Sequence, residues 1–126
     1  MDINSLERFV EPQEKMYPTA MKEIQNGKKR SHWMWYIFPQ IFGLGTSQRA
    51  VDFATNSLQE ARSFLAYDML GNHLREICEA LLKLLGADAV QVFGRTDAMK
   101  LRSSMTLFDA VQPHDIFAEV LDKYYD

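Results

Sequence analysis

The segment NGKKRSHWMWYIFPQIFGLGTS, residues 26–47, concentrates groups able to hold and orient a ligand. Lys28, Lys29 and Arg30 form a run of three cations, His32 follows almost at once, and Trp33, Trp35, Tyr36 and Phe38 supply rings. Ammonium and guanidinium groups bind carboxylates or phosphates, and flat rings stack on flat ligands or receive cations. His32 between cations and rings is expected to stay neutral, because burial and adjacent positive charge both oppose its protonation. A neutral imidazole can take a proton or donate one hydrogen bond, so His32 is a candidate for chemistry as well as for binding. The competing reading is plain packing. Six consecutive apolar residues, WMWYIF, must either thread through a core or line a cavity.

The glycines that follow, Gly43 and Gly45, allow turns that aim backbone amides at an anion. Thr46 or Ser47 can then cap a helix through SQRAVDF, with Arg49 adding a cation. GLGTS lacks the G-K-[ST] ending of a phosphate-binding loop, and no strand-rich unit surrounds it as a dinucleotide fingerprint requires. A turn between helices is its commoner explanation.

A second polar anomaly is KLRSSMTLF. On a helical wheel Ser104 falls inside the apolar arc, while Arg102 sits at its edge, two turns from Asp109. The structural reading has Ser104 either as a small residue that lets helices approach or bonded to the carbonyl four residues back, and Arg102 paired with Asp109. The functional reading turns Arg102, Ser103 and Ser104 toward the cavity lined by the aromatic segment, with Ser104 joining His32 as a candidate for chemistry.

Other chemistries find no support. His32, His73 and His114 are far apart, without a partner at metal-ligand spacing, so no metal or other cofactor is expected. His73 is read on the solvent face of its helix and His114 in the first turn of the last one. The net charge of −3 and the short basic run argue against a nucleic-acid binder. WMWYIF is far shorter than a membrane span, and the N-terminus lacks a signal-peptide pattern. One cysteine, Cys78, permits no internal disulfide, which fits a reducing, cytoplasmic setting.

The elements that must position these groups are helical. SLERFV can start a short turn with Ser5 as cap, broken by Pro12, and YPTAMKEIQNG gives a second helix stopped by Asn26-Gly27. DMLGNHLREICEALLKLLG carries Leu70, Leu74, Ile77, Cys78, Leu81, Leu82 and Leu85 on one stripe. NSLQEARSFLAY, TDAMKLRSSMTLFDAV and PHDIFAEVLDKYY each add another. WMWYIF and VQVF look strand-like but have little to pair with; the first is better read as a short helix or turn ending at Phe38, because Pro39 disfavours helical geometry there. The expectation is an all-α, compact multihelical single domain of about five to seven helices over residues 1–126.

GKKRSHWMWYIFPQIFGLG and LRSSMTLF together resemble the small bacterial family catalogued as domain of unknown function 1810, sometimes labelled calpastatin-like. The likeness covers nearly the whole chain, including SLQEARSFLAYDMLGNHLREI between the two signatures. It implies a compact, mainly helical single domain and leaves function undefined; the calpastatin label carries no implication of protease inhibition here. Chemistry suggests that the two signatures converge on a pocket for a planar, anionic small molecule, a nucleotide or ADP-ribose-like compound. Lys29, Arg30, His32, Trp33, Trp35, Gln40, Arg102, Ser103 and Ser104 are the expected ligand-binding residues. The alternative is a non-catalytic protein-interaction or structural domain, with the rings in a core or interface.

Overall fold

The computed structural model describes residues 6–41, 43, 47–86 and 88–125. Among them lie eight helices: α1 (Glu7–Gln25), α2 (Met34–Ile37), α3 (Gln48–Asp52), α4 (Leu58–Ala66), α5 (Asp68–Lys83), α6 (Ala89–Phe93), α7 (Arg95–Val111) and α8 (Ile116–Tyr125). Five have seven or more residues, and no strand occurs among the described residues. A lone bridge joins Ile41 to Thr55. Both strand-like segments are helical: VQVF lies in α6, and WMWYIF forms α2 with Phe38 as its cap, where Pro39 requires the stop.

The expected break at Pro12 does not occur. α1 runs through Pro12 and Pro18 as one helix of 19 residues, and the proposed cap Ser5 lies outside the described residues. An interior proline removes an amide and crowds the carbonyl four back, at a cost of about 3 kcal/mol. The helix persists because Phe9, Gln13, Tyr17, Ala20 and Ile24 bury one stripe along its whole length. Its end follows the sequence reading. Gly27 adopts φ +75°, and the Gly27 and Lys28 amides bond the Ile24 (2.8 Å) and Glu23 (3.0 Å) carbonyls.

One hydrophobic cluster takes residues from every helix except α3. Edge-to-face and tilted rings run through it: Phe9 meets Phe64 at 5.1 Å, Phe64 meets Phe108 at 5.5 Å, and Phe108 meets Phe117 at 5.7 Å. Leu70, Leu74, Ile77, Cys78 and Leu81 of α5 are buried in it as their spacing predicts, but Leu85 is 101% exposed. The helix stops at Lys83, so the stripe loses its register before Leu85. His73 also departs from expectation: it is half-buried and stacks on Tyr17, with ring centroids 3.6 Å apart and planes 6° from parallel. His114 is exposed, at φ +61° in the turn before α8.

Two corners have no loop. The Tyr67 amide bonds the Ser63 carbonyl (3.0 Å) to close α4, while its own carbonyl accepts the Gly71 amide (2.8 Å) to open α5. Gly94, at φ +82°, does the same between α6 and α7, donating to Val90 and accepting from Ala98. At the other end of the chain, α8 satisfies the orphan carbonyls of α5: Lys123 Nζ donates to Leu81, Leu82 and Leu84, and the Tyr124 hydroxyl to Leu81. No helix of the described residues is long and apolar enough to cross a membrane.

Candidate functional site

Glu23, near the end of α1, organises the cationic segment. Its carboxylate accepts the amides of Arg30 (2.8 Å) and Ser31 (3.0 Å), the Ser31 hydroxyl (2.6 Å) and the Trp33 indole N–H (2.9 Å). Partial burial works to raise the Glu23 pKa, but these hydrogen bonds favour the anion more strongly and bring it down to about 2. Sequence reasoning passed over Glu23, whose position next to the buried Ile24 places it at the edge of the packed face. The residues it gathers are positioned rather than free. Trp33 is fully buried against Phe38 and Phe93, at 6.2 and 6.3 Å between ring centroids, which places it in the core. Arg30 and His32 carry exposed side chains, so the burial expected around His32 is absent. Lys29 Nζ pairs with Asp97 at 2.9 Å, donates to the Ser31 carbonyl and lies 5.1 Å from the Trp33 ring centroid.

Trp35 sits differently. It is half-buried, with Lys100 Nζ 5.0 Å and the Arg49 guanidinium 5.2 Å from its ring centroid. Its indole nitrogen is buried and has no hydrogen-bond partner. Ser104 stands one turn beyond Lys100 on the same face of α7. It is 0% exposed, and its hydroxyl also has no partner. Of the two structural readings of Ser104, the bond to the carbonyl four back is not made; Ser103 and Thr106 make such bonds, to Met99 (3.2 Å) and Arg102 (2.8 Å). Trp35 Nε1 and Ser104 Oγ are the two buried side-chain polar atoms left unpaired among the described residues. A buried polar group without a partner costs about 1–3 kcal/mol, so a ligand atom that reached either would recover part of it.

The surrounding charge is uneven. Asp97 bridges Lys29 and Lys100, at 2.9 and 3.5 Å, which links the two tryptophans through their cations. Arg49 has no carboxylate within ion-pair distance among the described residues. It lies in α3, whose N-terminus Ser47 caps by accepting the Ala50 amide at 3.1 Å. Gly43 adopts φ +100°; Leu44, Gly45 and Thr46, where the anion-binding turn was expected, lie outside the described residues. Burial raises the pKa of the Tyr36 hydroxyl, with the nearby Arg49 charge opposing.

The two signature segments meet along α7. Besides the contact between Trp35 and Lys100, Ile41 shares a groove of about 380 Å³ with Leu58, Arg102, Ser103 and Leu107. Arg102 does not pair with Asp109; its guanidinium lies 5.9 Å from the Tyr125 ring centroid. Gln40 is half-buried, and its carbonyl accepts both the amide (2.8 Å) and the hydroxyl (3.0 Å) of Thr55, which holds Ile41 at that groove. The expected residues thus divide three ways. Trp35 meets Lys100, with Ser104 buried one turn farther along α7; Arg102 and Ser103 line the groove at Ile41; and Lys29, Arg30, His32 and Trp33 belong to the Glu23 side. Lys100 was legible as the residue one turn before Ser104. Among the described residues no group of three His, Cys, Asp or Glu could hold a metal ion.

A comparison with curated proteins finds no match. Among solved structures the chain is similar to the conserved hypothetical protein Rv1873 from Mycobacterium tuberculosis, with a TM-score of 0.94 and 41% sequence identity over 98% of this chain and 89% of that one. Residues 3–126 match the family described as a protein of unknown function, DUF1810. The match spans the Glu23 hub, Trp35 and the α7 face alike, and the chain belongs to the DUF1810 family.

Proposed function

We propose that the protein binds a planar, anionic small molecule, of the nucleotide or ADP-ribose type, at the Trp35 face of α7. The observation that carries this reading is the buried, unpaired Trp35 Nε1 on a ring that both Arg49 and Lys100 approach, with the unpaired Ser104 Oγ one turn beyond Lys100 on α7. Arg49, with no carboxylate partner among the described residues, would swing from the ring onto the anion. Lys100, held by Asp97, would supply a fixed charge. The indole N–H and the serine hydroxyl would orient the ligand's plane. Ser104 has no base hydrogen-bonded to it among the described residues, so binding rather than nucleophilic attack is its role in this reading. The setting is cytoplasmic, where Cys78 stays a buried thiol whose pKa desolvation pushes up. The net charge of −3 keeps nucleic acid outside the reading.

The test is thermal unfolding with AMP, ADP-ribose and aromatic carboxylates. A compound at 100 times its Kd adds about 2.7 kcal/mol, a shift of roughly 10 °C for a domain of this size. The rise is expected to vanish in Arg49→Ala and Trp35→Phe while the unliganded Tm of Arg49→Ala stays within about 2 °C of the parent, because Arg49 is exposed. A flat response from a well-folded protein would abandon the pocket. It would favour the interaction domain, to which the exposed Leu85, Val90 and Met99 lend support.

A further inference from the structure

We infer that the cleft between α1 and α5 is a second binding site, for an organic ammonium ion, keyed by a hydrogen-bond acceptor at His73 Nε2. Gln13 is buried, at 1% exposure, in the α1 stripe. Its amide nitrogen lies 2.7 Å from the Tyr36 carbonyl, and a carbonyl can only accept. The amide orientation is therefore fixed, and its oxygen faces His73 Nδ1 at 2.8 Å. An oxygen facing a ring nitrogen requires the proton on Nδ1. The other nitrogen, Nε2, is left with its lone pair, and no partner for it occurs among the described residues.

His73 opens on a cleft of about 470 Å³ lined by Gln13, Glu14, Tyr17, Pro18, Met69 and His73, within the range of roughly 300–1,000 Å³ usual for small-molecule sites. Its donors are already engaged. The Tyr17 hydroxyl donates to Glu76 Oε1 at 2.8 Å, Nδ1 of His73 is held by Gln13, and Gln13 itself is sealed from solvent. What the cleft presents to a ligand is an acceptor nitrogen, the exposed Glu14 carboxylate, the stacked rings of Tyr17 and His73, and the apolar Pro18 and Met69. This combination suits a ligand that donates hydrogen bonds, carries positive charge and has a carbon substituent; it opposes an anion. Burial lowers the His73 pKa, with the Glu76 charge opposing, which keeps the ring in the accepting form. The site is independent of the Trp35 face, whose ligand has the opposite charge.

The experiment is nitrogen-15 NMR of the histidine rings during titration with benzylammonium chloride, with benzyltrimethylammonium and benzoate as comparisons. The free protein is expected to show His73 as the Nδ1–H tautomer. Benzylammonium should shift its Nε2 resonance saturably. The trimethylated ion has no N–H and should bind at least about tenfold more weakly, as one lost hydrogen bond to a charged partner predicts. Glu14→Gln, at an exposed position, should weaken benzylammonium several-fold, and His73→Phe, which preserves a ring against Tyr17, should abolish binding. An Nε2–H tautomer, no response to benzylammonium, equal affinity for the two cations, tighter binding of benzoate, or indifference to Glu14→Gln would each overturn the assignment.

Discussion

Replacing Gly71 by alanine is expected to destabilise the protein by about 3 kcal/mol, although the same change inside an ordinary exposed helix stabilises by about 1 kcal/mol. The sign reverses because of the α4–α5 corner. A Cβ on Gly71 would stand 2.1 Å from the Leu65 carbonyl oxygen and 3.0 Å from its carbon. Both belong to the backbone, so no side-chain rotation relieves the contact. Nor can α5 slide away, because Leu70 and Leu74 on either side of Gly71 are locked in the core. The corner itself must open, and with it the hydrogen bond from Gly71 to Tyr67. Urea unfolding followed by circular dichroism measures the loss. A variant within 0.5 kcal/mol of the parent would show that the helix crossing yields easily and that the close approach is not a structural requirement.

Glu23→Gln is expected to cost about 3 kcal/mol at neutral pH and to reshape the acid limb of the stability curve. One carboxylate serves four donors; an amide has a single acceptor oxygen and brings two donors of its own. The Arg30 and Ser31 amides and the Trp33 indole already share Oε1, so they keep an acceptor but lose its charge, while the Ser31 hydroxyl loses Oε2; a bond to a charged partner contributes about 1.5–3 kcal/mol against about 0.5–1.5 kcal/mol for a neutral one. The pH dependence follows from the depressed pKa. Glu23 titrates near 4.5 in an unfolded chain and at about 2 in the folded one, so its stabilisation is complete above 4.5 and is lost as pH falls toward 2. The gap between parent and variant should therefore be largest at neutral pH and narrow steadily below 4.5. Denaturant titrations at pH 7, 4 and 2.5 compare the two. A gap independent of pH would mean that the carboxylate's charge is not what holds the segment.

The helical architecture was legible because its longest stripes are regular. Leu70, Leu74, Ile77 and Leu81 of α5, and Ala98, Leu101, Met105 and Phe108 of α7, repeat at helical spacing and are buried as that spacing requires. The stop at Phe38 was equally readable, since Pro39 acts on its neighbour through local sterics alone. What misled was tertiary compensation. Pro12 signals a break and Pro18 the first turn of a new helix, yet packing along α1 carries one helix through both. VQVF reads as a strand until Asp88 caps it, accepting the Val90 and Gln91 amides and starting α6. The candidate site was readable as residue types and not as geometry. Trp33 and Trp35 are two residues apart and chemically alike, and only the fold separates a core ring from one beside Arg49 and Lys100. His73 looked like a surface residue because its partner, Gln13, is a polar residue on the buried stripe of a distant helix.

The corners at Tyr67 and Gly94 have a mechanical consequence. In each, one residue ends a helix with its amide and begins the next with its carbonyl, so there is no slack at which the two helices could pivot. The chain from Leu58 to Lys83 and the chain from Ala89 to Val111 act as bent rods instead of jointed ones. Hinged closure, which in other proteins depends on a few loop residues that absorb large backbone rotations, has no place to act within either rod. Lys100 and Ser104 keep their bearing from α6, so the small molecule proposed for the Trp35 face would meet a wall that is already set. Any extra residue spliced into either corner would uncouple two helices at once, which leaves the exposed Leu85 and Gly86 as the better place to lengthen this chain.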